Sequence, residues 1–190
     1  SKPIGMLIFD YKSDYCKKDD DFVKATDANV YKLCHLPYNP LAIVITDEDA
    51  SFLPLHTAKT LTETISKSFG LGVKQKALLM DVIMEAYELK GILKHDEDTW
   101  TKPAPTISDV CSIYFNREDV KEDSLYAALR TLYDFEIFEP NSSKTKNLFE
   151  IIDGVTVIKL SGYDEATQNL VVAITLDIFY NQMFIEGESK

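Results

Sequence analysis

The sequence predicts an α/β fold in which a partial parallel sheet accompanies a large helical middle region. Two observations at opposite ends of the chain predict the sheet, and one in the middle predicts the helices. Near the start, Ile4-Gly5-Met6-Leu7-Ile8-Phe9 is a short continuous apolar run that stops at Asp10. An unbroken run of this length reads as a strand buried on both faces, as in parallel sheets. Near the end, Val155-Thr156-Val157-Ile158-Lys159-Leu160 is rich in β-branched residues, and a turn and a long apolar helix follow it. Strand, turn and buried helix make half of a βαβ unit. The stretch between them, about 100 residues, carries mainly helical periodicity.

After Asp10, residues 11 to 27 are polar and read as loop, and Ala28 to Leu33 alternates as a second strand does. Pro37-Tyr38-Asn39-Pro40 then breaks regular structure, because each proline fixes φ and removes a donor. Pro54 suits a first helical turn, and Leu55, Ala58, Leu61, Thr62 and Ile65 recur at helical spacing up to Phe69. Gly70 and Gly72 end that helix and link it to another over Val73 to Leu89. The second helix carries Ala77, Leu78, Met80, Ile83, Met84 and Tyr87 on more than one face, so it is expected to be buried on two sides. Gly91 closes it. Residues 94 to 105 form a polar, proline-bearing loop. Thr106 and Asp109 form a capping box with Asp in place of Glu or Gln, ahead of Ile107, Val110, Ile113 and Tyr114. A further helix over Glu122 to Tyr133 points Leu125, Ala128, Leu129 and Leu132 inward, and Asn141 to Lys146 is a second polar loop. The last helix, about Glu165 to Phe184, is apolar nearly all round at its centre, so it packs on a sheet and on something else.

Composition excludes several classes. Of 190 residues, 45% are hydrophobic and 27% charged, which is the profile of a globular chain. The net charge is −11, and no basic run stands out, so the chain is a poor candidate for wrapping nucleic acid by itself. Its longest basic cluster, Lys17-Lys18, is followed at once by Asp19-Asp20-Asp21. Cys16, Cys34 and Cys111 are scattered and odd in number, which fits reduced thiols in the cytoplasm. No run of about 18 apolar residues exists, so no membrane association is expected. The chain starts at Ser1-Lys2-Pro3 without an initiator Met, as expected of a processed chain or of part of a longer one.

The parts of an autonomous enzyme are absent. No GxxxxGK[ST] phosphate loop is present, and no GxSxG nucleophile elbow. Asp10 is the one acidic residue placed, by strand position, where open α/β sheets bind ligands. His35, His56 and His95 have no partner at ligand spacing, and adjacency of Cys34 and His35 is expected to aim their side chains apart, so no metal site is expected. Asp19-Asp20-Asp21 and Asp96-Glu97-Asp98 read as solvated loops, and Trp100 and Tyr114 as packing residues.

Three segments carry a resemblance. Leu7-Ile8-Phe9-Asp10-Tyr11-Lys12-Ser13-Asp14-Tyr15 resembles the "apolar strand, Asp, Pro or Tyr, Lys, Gly, acid, Tyr" segment of HerA/FtsK-type P-loop ATPases, with Ser13 where that pattern has Gly. Leu71-Gly72-Val73-Lys74-Gln75-Lys76 before a long helix is the second. The third, Ile158 to Asp164 with Ser161, Gly162 and Tyr163, then Gln168 and Asn169 onward, is similar to the strand and helix ahead of the Walker B strand. Within the superfamily it looks most like the ATPase-like component of DNA-phosphorothioation-dependent restriction systems.

The resemblance implies a partial P-loop-type sheet whose phosphate loop precedes Ser1 and whose Walker B strand follows Lys190. It implies ATP and Mg²⁺ as cofactors of the longer protein, none in this chain, and no catalytic residue here. Asp10 and Lys12 become neighbours of a nucleotide site. Gln75, Ser161, Gly162, Tyr163, Asp164, Gln168 and Asn169 are motif residues, with Asp164 also suited to cap the last helix. Implied partners are other subunits of a restriction complex, DNA through that assembly, and further copies of the chain. On this reading residues 1–50 are the first part of the ATPase-type core, 51–152 a mainly helical region, and 153–190 the strand and long helix of the core. The alternative is a self-standing α/β protein–protein interaction module with residues 54 to 134 as its docking surface.

Overall fold

The computed structural model describes residues 5–17, 21–45 and 53–188, with side chains placed through Met183. Its elements in order are β1 (Met6–Asp10), α1 (Asp21–Thr26), β2 (Asn29–Lys32), α2 (Leu53–Phe69), α3 (Val73–Leu89), α4 (Ile107–Phe115), α5 (Ser124–Asp134), α6 (Leu148–Ile151), β3 (Val155–Lys159) and α7 (Glu165–Glu188). The fold is α/β: a small parallel sheet with many helices. Ile4, Lys18, Asp19 and Asp20 lie outside the described residues.

The strands predicted from opposite ends of the chain meet directly. β3 is central in the order β1-β3-β2, and both of its neighbours run parallel to it. Met6 faces Val155 and Asp10 faces Lys159 on one side, while Asn29 faces Thr156 and Lys32 faces Lys159 on the other. Thr156, Val157, Ile158 and Leu160 are fully buried, as a central strand of β-branched residues should be.

β1 differs from its expected burial. Met6 is 51% exposed and Leu7, Ile8 and Phe9 are half-buried. The reason is its position: among the described residues β1 pairs only with β3, so it is an edge strand. Close packing at its start involves Gly5, where a Cβ would stand 2.4 Å from the Ile152 carbonyl oxygen. Residues 11 to 27 are also not all loop, because α1 forms within them; a six-residue helix leaves too short a periodic pattern to read.

The helical middle follows its periodicity closely. α3 spans Val73–Leu89 and packs against both α2 and α4. Its buried face is Leu79, Val82, Ile83, Ala86 and Tyr87, whereas Ala77 is exposed. The Thr106–Asp109 box starts α4: the Thr106 N–H donates to Asp109 Oδ2 at 2.8 Å, and the Asp109 N–H donates to Thr106 Oγ1 at 3.3 Å. Such a cap contributes about 1 kcal/mol. α5 starts at Ser124 because the Asp123 carboxylate accepts from the Leu125 and Tyr126 N–H groups, and it buries Leu125, Ala128, Leu129 and Leu132.

The break at Pro37–Pro40 lies inside the molecule. Leu36, Tyr38, Asn39, Pro40 and Leu41 are buried. A buried irregular segment needs partners for its polar groups, and it has them. Asn39 Nδ2 donates to the Pro105 carbonyl at 2.8 Å, its Oδ1 accepts from Leu41 N–H, Tyr38 Oη pairs with Thr175 Oγ1 at 2.6 Å, and Tyr87 Oη donates to the Leu41 carbonyl at 2.6 Å. These bonds tie the segment to α3, α7 and the start of α4. Thr64 Oγ1 on α2 donates to the Asp177 carboxylate on α7. α7 buries Thr167, Leu170, Val171, Ile174, Thr175 and Gln182, while Tyr180 and Met183 on its other side are exposed. Among the described residues no helix is long and apolar enough to cross a membrane.

Candidate functional site

The C-terminal ends of β1 and β3 gather most of the motif residues. In a parallel sheet these ends lie side by side, and ligands of open α/β folds bind there. Asp10 closes β1 with only 2% of its surface exposed. Its Oδ1 accepts the N–H groups of Lys12 (3.2 Å) and Asp14 (3.1 Å), and its Oδ2 accepts that of Tyr15 (3.0 Å). Burial pushes the Asp10 carboxyl upward. The opposing donors from Tyr15, Asp14, the Cys16 thiol and Lys12 outweigh burial and hold it below the ordinary aspartate value. The carboxylate therefore shapes the loop that follows β1.

Within that loop Ser13 has φ 65°, in the left-handed region that glycine occupies at little cost. This is the position where the resembled segment has Gly. Here the serine hydroxyl has a partner: Ser13 Oγ and Ser161 Oγ are 2.5 Å apart. Two segments 148 residues apart in sequence are thus joined at the strand ends.

The turn after β3 is equally determined. Gly162 has φ +96°, and nothing stands where its Cβ would be, so the turn is open on that side. Gln168 Nε2 donates to the carbonyls of Leu160 (3.1 Å) and Tyr163 (2.9 Å), clamping the turn onto the first helical turns of α7. Asp164 caps α7: its Oδ1 accepts the Thr167 N–H at 3.1 Å and its Oδ2 accepts the Thr167 hydroxyl at 2.6 Å. The Thr167 hydroxyl and N–H bonds hold its carboxyl below the usual range despite desolvation. Tyr163 Oη donates to the Leu33 carbonyl at 3.0 Å and its ring meets Phe135 edge-on at 5.2 Å. Burial raises its phenol, with the neighbouring Cys34 adding to the rise.

Asp10, Ser161, Gly162, Tyr163, Asp164 and Gln168 therefore belong to one neighbourhood, and Lys12 is exposed on the loop beside them. Asn169 is exposed on α7. Gln75 stands apart, in the first turn of α3, where its Oε1 accepts the Gly72 N–H at 2.8 Å and its side chain bonds Asp123. Ser13 was legible only as a departure from a pattern; its bond to Ser161 needs the sheet.

The structure corrects one expectation. The side chains of Cys34 and His35 do converge, together with Glu136, so that one ligand atom of each lies within 4.8 Å of the others. Neighbouring residues alternate sides only in extended backbone. His35 has φ 52°, which breaks that alternation.

The sequence has no phosphate loop, and both Asp10 oxygens are engaged by the chain's own donors.

Parallel strands accompanied by helices, with hydrogen-bonded loops at their C-terminal ends, define an α/β fold. No family model matches the chain, and no curated protein matches it. Among solved structures the fold is similar to that of VirB4 of Thermoanaerobacter pseudethanolicus, with a TM-score of 0.65 at 14% identity. The likeness covers 94% of this chain and 69% of that one. At this identity the likeness is one of fold.

Proposed function

We propose that this chain supplies the centre of a DNA-acting ATPase of the HerA/FtsK type, of the DptH kind found in phosphorothioation-dependent restriction, and that it is not catalytic alone. The observation that carries this reading is the junction of the two motif loops. The Lys12–Ser13 loop and the Ser161–Gly162 turn close adjacent parallel strands and bond to each other through Ser13 and Ser161. Two further features support it. β1 and β2 each pair on one side only among the described residues, which leaves room for more strands. α7, apolar nearly all round, has Tyr180 64% and Met183 46% exposed on its outer side.

On this reading ATP and Mg²⁺ bind residues supplied from outside the chain, which works in the cytoplasm. Other copies and other restriction subunits cover the open faces, and DNA is engaged by the assembly. Reading the gene on both sides tests the core claim. A GxxxxGK[ST] upstream and an apolar strand ending in Asp-Glu downstream are expected; a start codon and a stop codon at the two ends overturn it. Calorimetry on the 190-residue chain should show no ATP affinity tighter than about millimolar. Restriction assays with the longer protein and its operon neighbours should cut DNA lacking the sulfur modification and spare modified DNA. Equal cutting of both refutes the DptH assignment while leaving the motor reading intact.

The contrasting reading is an interaction module that docks through residues 54 to 134. It rests on the mutual packing of α2, α3, α4 and α5. Specific capture of one operon neighbour by the chain, with the gene ending at Lys190, would select it.

A further inference from the structure

We propose that Cys34, His35 and Glu136 form a binding site for a borderline-soft divalent cation, with Zn²⁺ the best match. The three donors are a thiol sulfur, an imidazole nitrogen and a carboxylate oxygen, and all lie within 4.8 Å of one another. His35 Nε2 and Glu136 Oε2 are already 2.8 Å apart. A tetrahedral Zn²⁺ holds sulfur at about 2.3 Å and nitrogen or oxygen at about 2.0–2.2 Å, which places its ligands roughly 3.3–3.8 Å from each other. The observed cluster brackets that spacing, so small rotamer adjustments complete it. Mg²⁺ and Ca²⁺ prefer all-oxygen sites and are disfavoured by a thiolate and an imidazole.

The scaffold under these exposed ligands is anchored in the core. Leu33 and Leu36 flank the Cys34–His35 pair and are buried, as are Ile137 and Phe138 beyond Glu136. The two segments are clamped by His35 N–H to the Glu136 carbonyl (2.7 Å), Leu36 N–H to the Ile137 carbonyl (2.8 Å) and a parallel bridge between Leu36 and Phe138. Tyr163 Oη holds the Leu33 carbonyl just before the pair. Both His35 (φ 52°) and Glu136 (φ 45°) adopt left-handed backbone, and each is a residue that pays for doing so. His35 is thereby turned to the side of Cys34, and its ring to Glu136.

Binding is a proton-coupled ligation. Cys34 gives up its thiol proton to solvent as the sulfur–metal bond forms, neutral His35 donates a nitrogen lone pair, and Glu136 exchanges its contact with His35 for the metal. One thiolate and one carboxylate balance the dication. The fourth position faces solvent and takes water or a side chain of a partner. No step requires an oxidant or the nucleotide reading above, so the inference stands independently of it.

Cobalt(II) titration of the reduced 190-residue chain tests the site. One equivalent should produce a thiolate-to-cobalt charge-transfer band in the near ultraviolet with visible bands of tetrahedral intensity, and one equivalent of Zn²⁺ should erase both. Cys34→Ser should abolish the charge-transfer band. His35→Asn, which keeps a residue suited to left-handed backbone, and Glu136→Gln should each weaken binding by at least about tenfold, as loss of a direct ligand should exceed loss of an outer-shell partner. Cys16→Ser should leave the charge-transfer band unchanged. These side chains are exposed, so the variants should remain folded, which circular dichroism checks. The absence of a thiolate band in the folded chain, or a band that survives Cys34→Ser, overturns the proposal.

Discussion

Replacing Asp10 by Asn changes almost no volume, yet it should destabilise the strand-end loop measurably. The carboxylate accepts three N–H groups, two at Oδ1 and one at Oδ2. An asparagine can keep its amide oxygen at the Oδ1 position and retain the Lys12 and Asp14 bonds. Its NH₂ then faces the Tyr15 N–H, donor against donor. One charge-assisted hydrogen bond is lost and one donor is left without a protein acceptor. A hydrogen bond to a charged group is worth about 1.5–3 kcal/mol. Because the loop is partly exposed, water recovers some of this, and a loss of about 1.5–2 kcal/mol is expected.

The pH dependence supplies the second arm. The folded Asp10 carboxyl lies below its ordinary value. A depressed folded pKa contributes stability that is fully present above the unfolded value, about 3.9, and is lost as pH falls through the folded one. The gap between wild type and Asp10→Asn should therefore be widest at neutral pH and narrow on acidification below about pH 4. Urea unfolding at a series of pH values measures it. A neutral-pH gap below about 0.5 kcal/mol, or one that does not narrow in acid, would refute the assignment of the carboxylate as the organiser of the loop.

Ser13→Ala keeps the left-handed backbone and loses the Ser161 partner, so it should cost about 1 kcal/mol, whereas Ser13→Gly loses the same bond but relieves roughly 1 kcal/mol of strain and should be near neutral; equal unfolding midpoints for the two variants would dismiss the strain argument. Gly5→Ala would place a Cβ 2.4 Å from the Ile152 carbonyl oxygen, two backbone groups with little freedom to move, so a loss of about 1–3 kcal/mol is expected as a lower thermal midpoint. Cys111 is fully buried, and desolvation together with the Asp134 carboxylate pushes its thiol up to about 12. Exposed Cys34 should label rapidly with a thiol reagent in native buffer, and Cys111 only on unfolding, as peptide mass mapping would reveal.

Elements whose pattern is local and long were legible in the sequence. The bounds of α3 between Gly72 and Lys90, the Thr106–Asp109 box and the inward face of α5 depend on residues three or four apart, which a periodicity detects. The β-branched run of β3 and the start of α7 were legible for the same reason, as was the α/β class, whereas α7 runs to Glu188, past the end expected near Phe184.

Tertiary structure alone decided what depends on distant partners. An apolar run at Met6–Phe9 looks the same whether the strand is central or at an edge, and only the order β1-β3-β2 leaves it half-covered. The sequence shows only a break at Pro37–Pro40; that Tyr38 and Asn39 lie inside depends on their partners at Thr175 and Pro105. The strand-end junction of Ser13 with Ser161 and the convergence of Cys34, His35 and Glu136 span 148 and about 100 residues, and both depend on left-handed backbone at non-glycine residues. Such a conformation is unfavourable locally, so no local pattern announces it; surrounding contacts impose it.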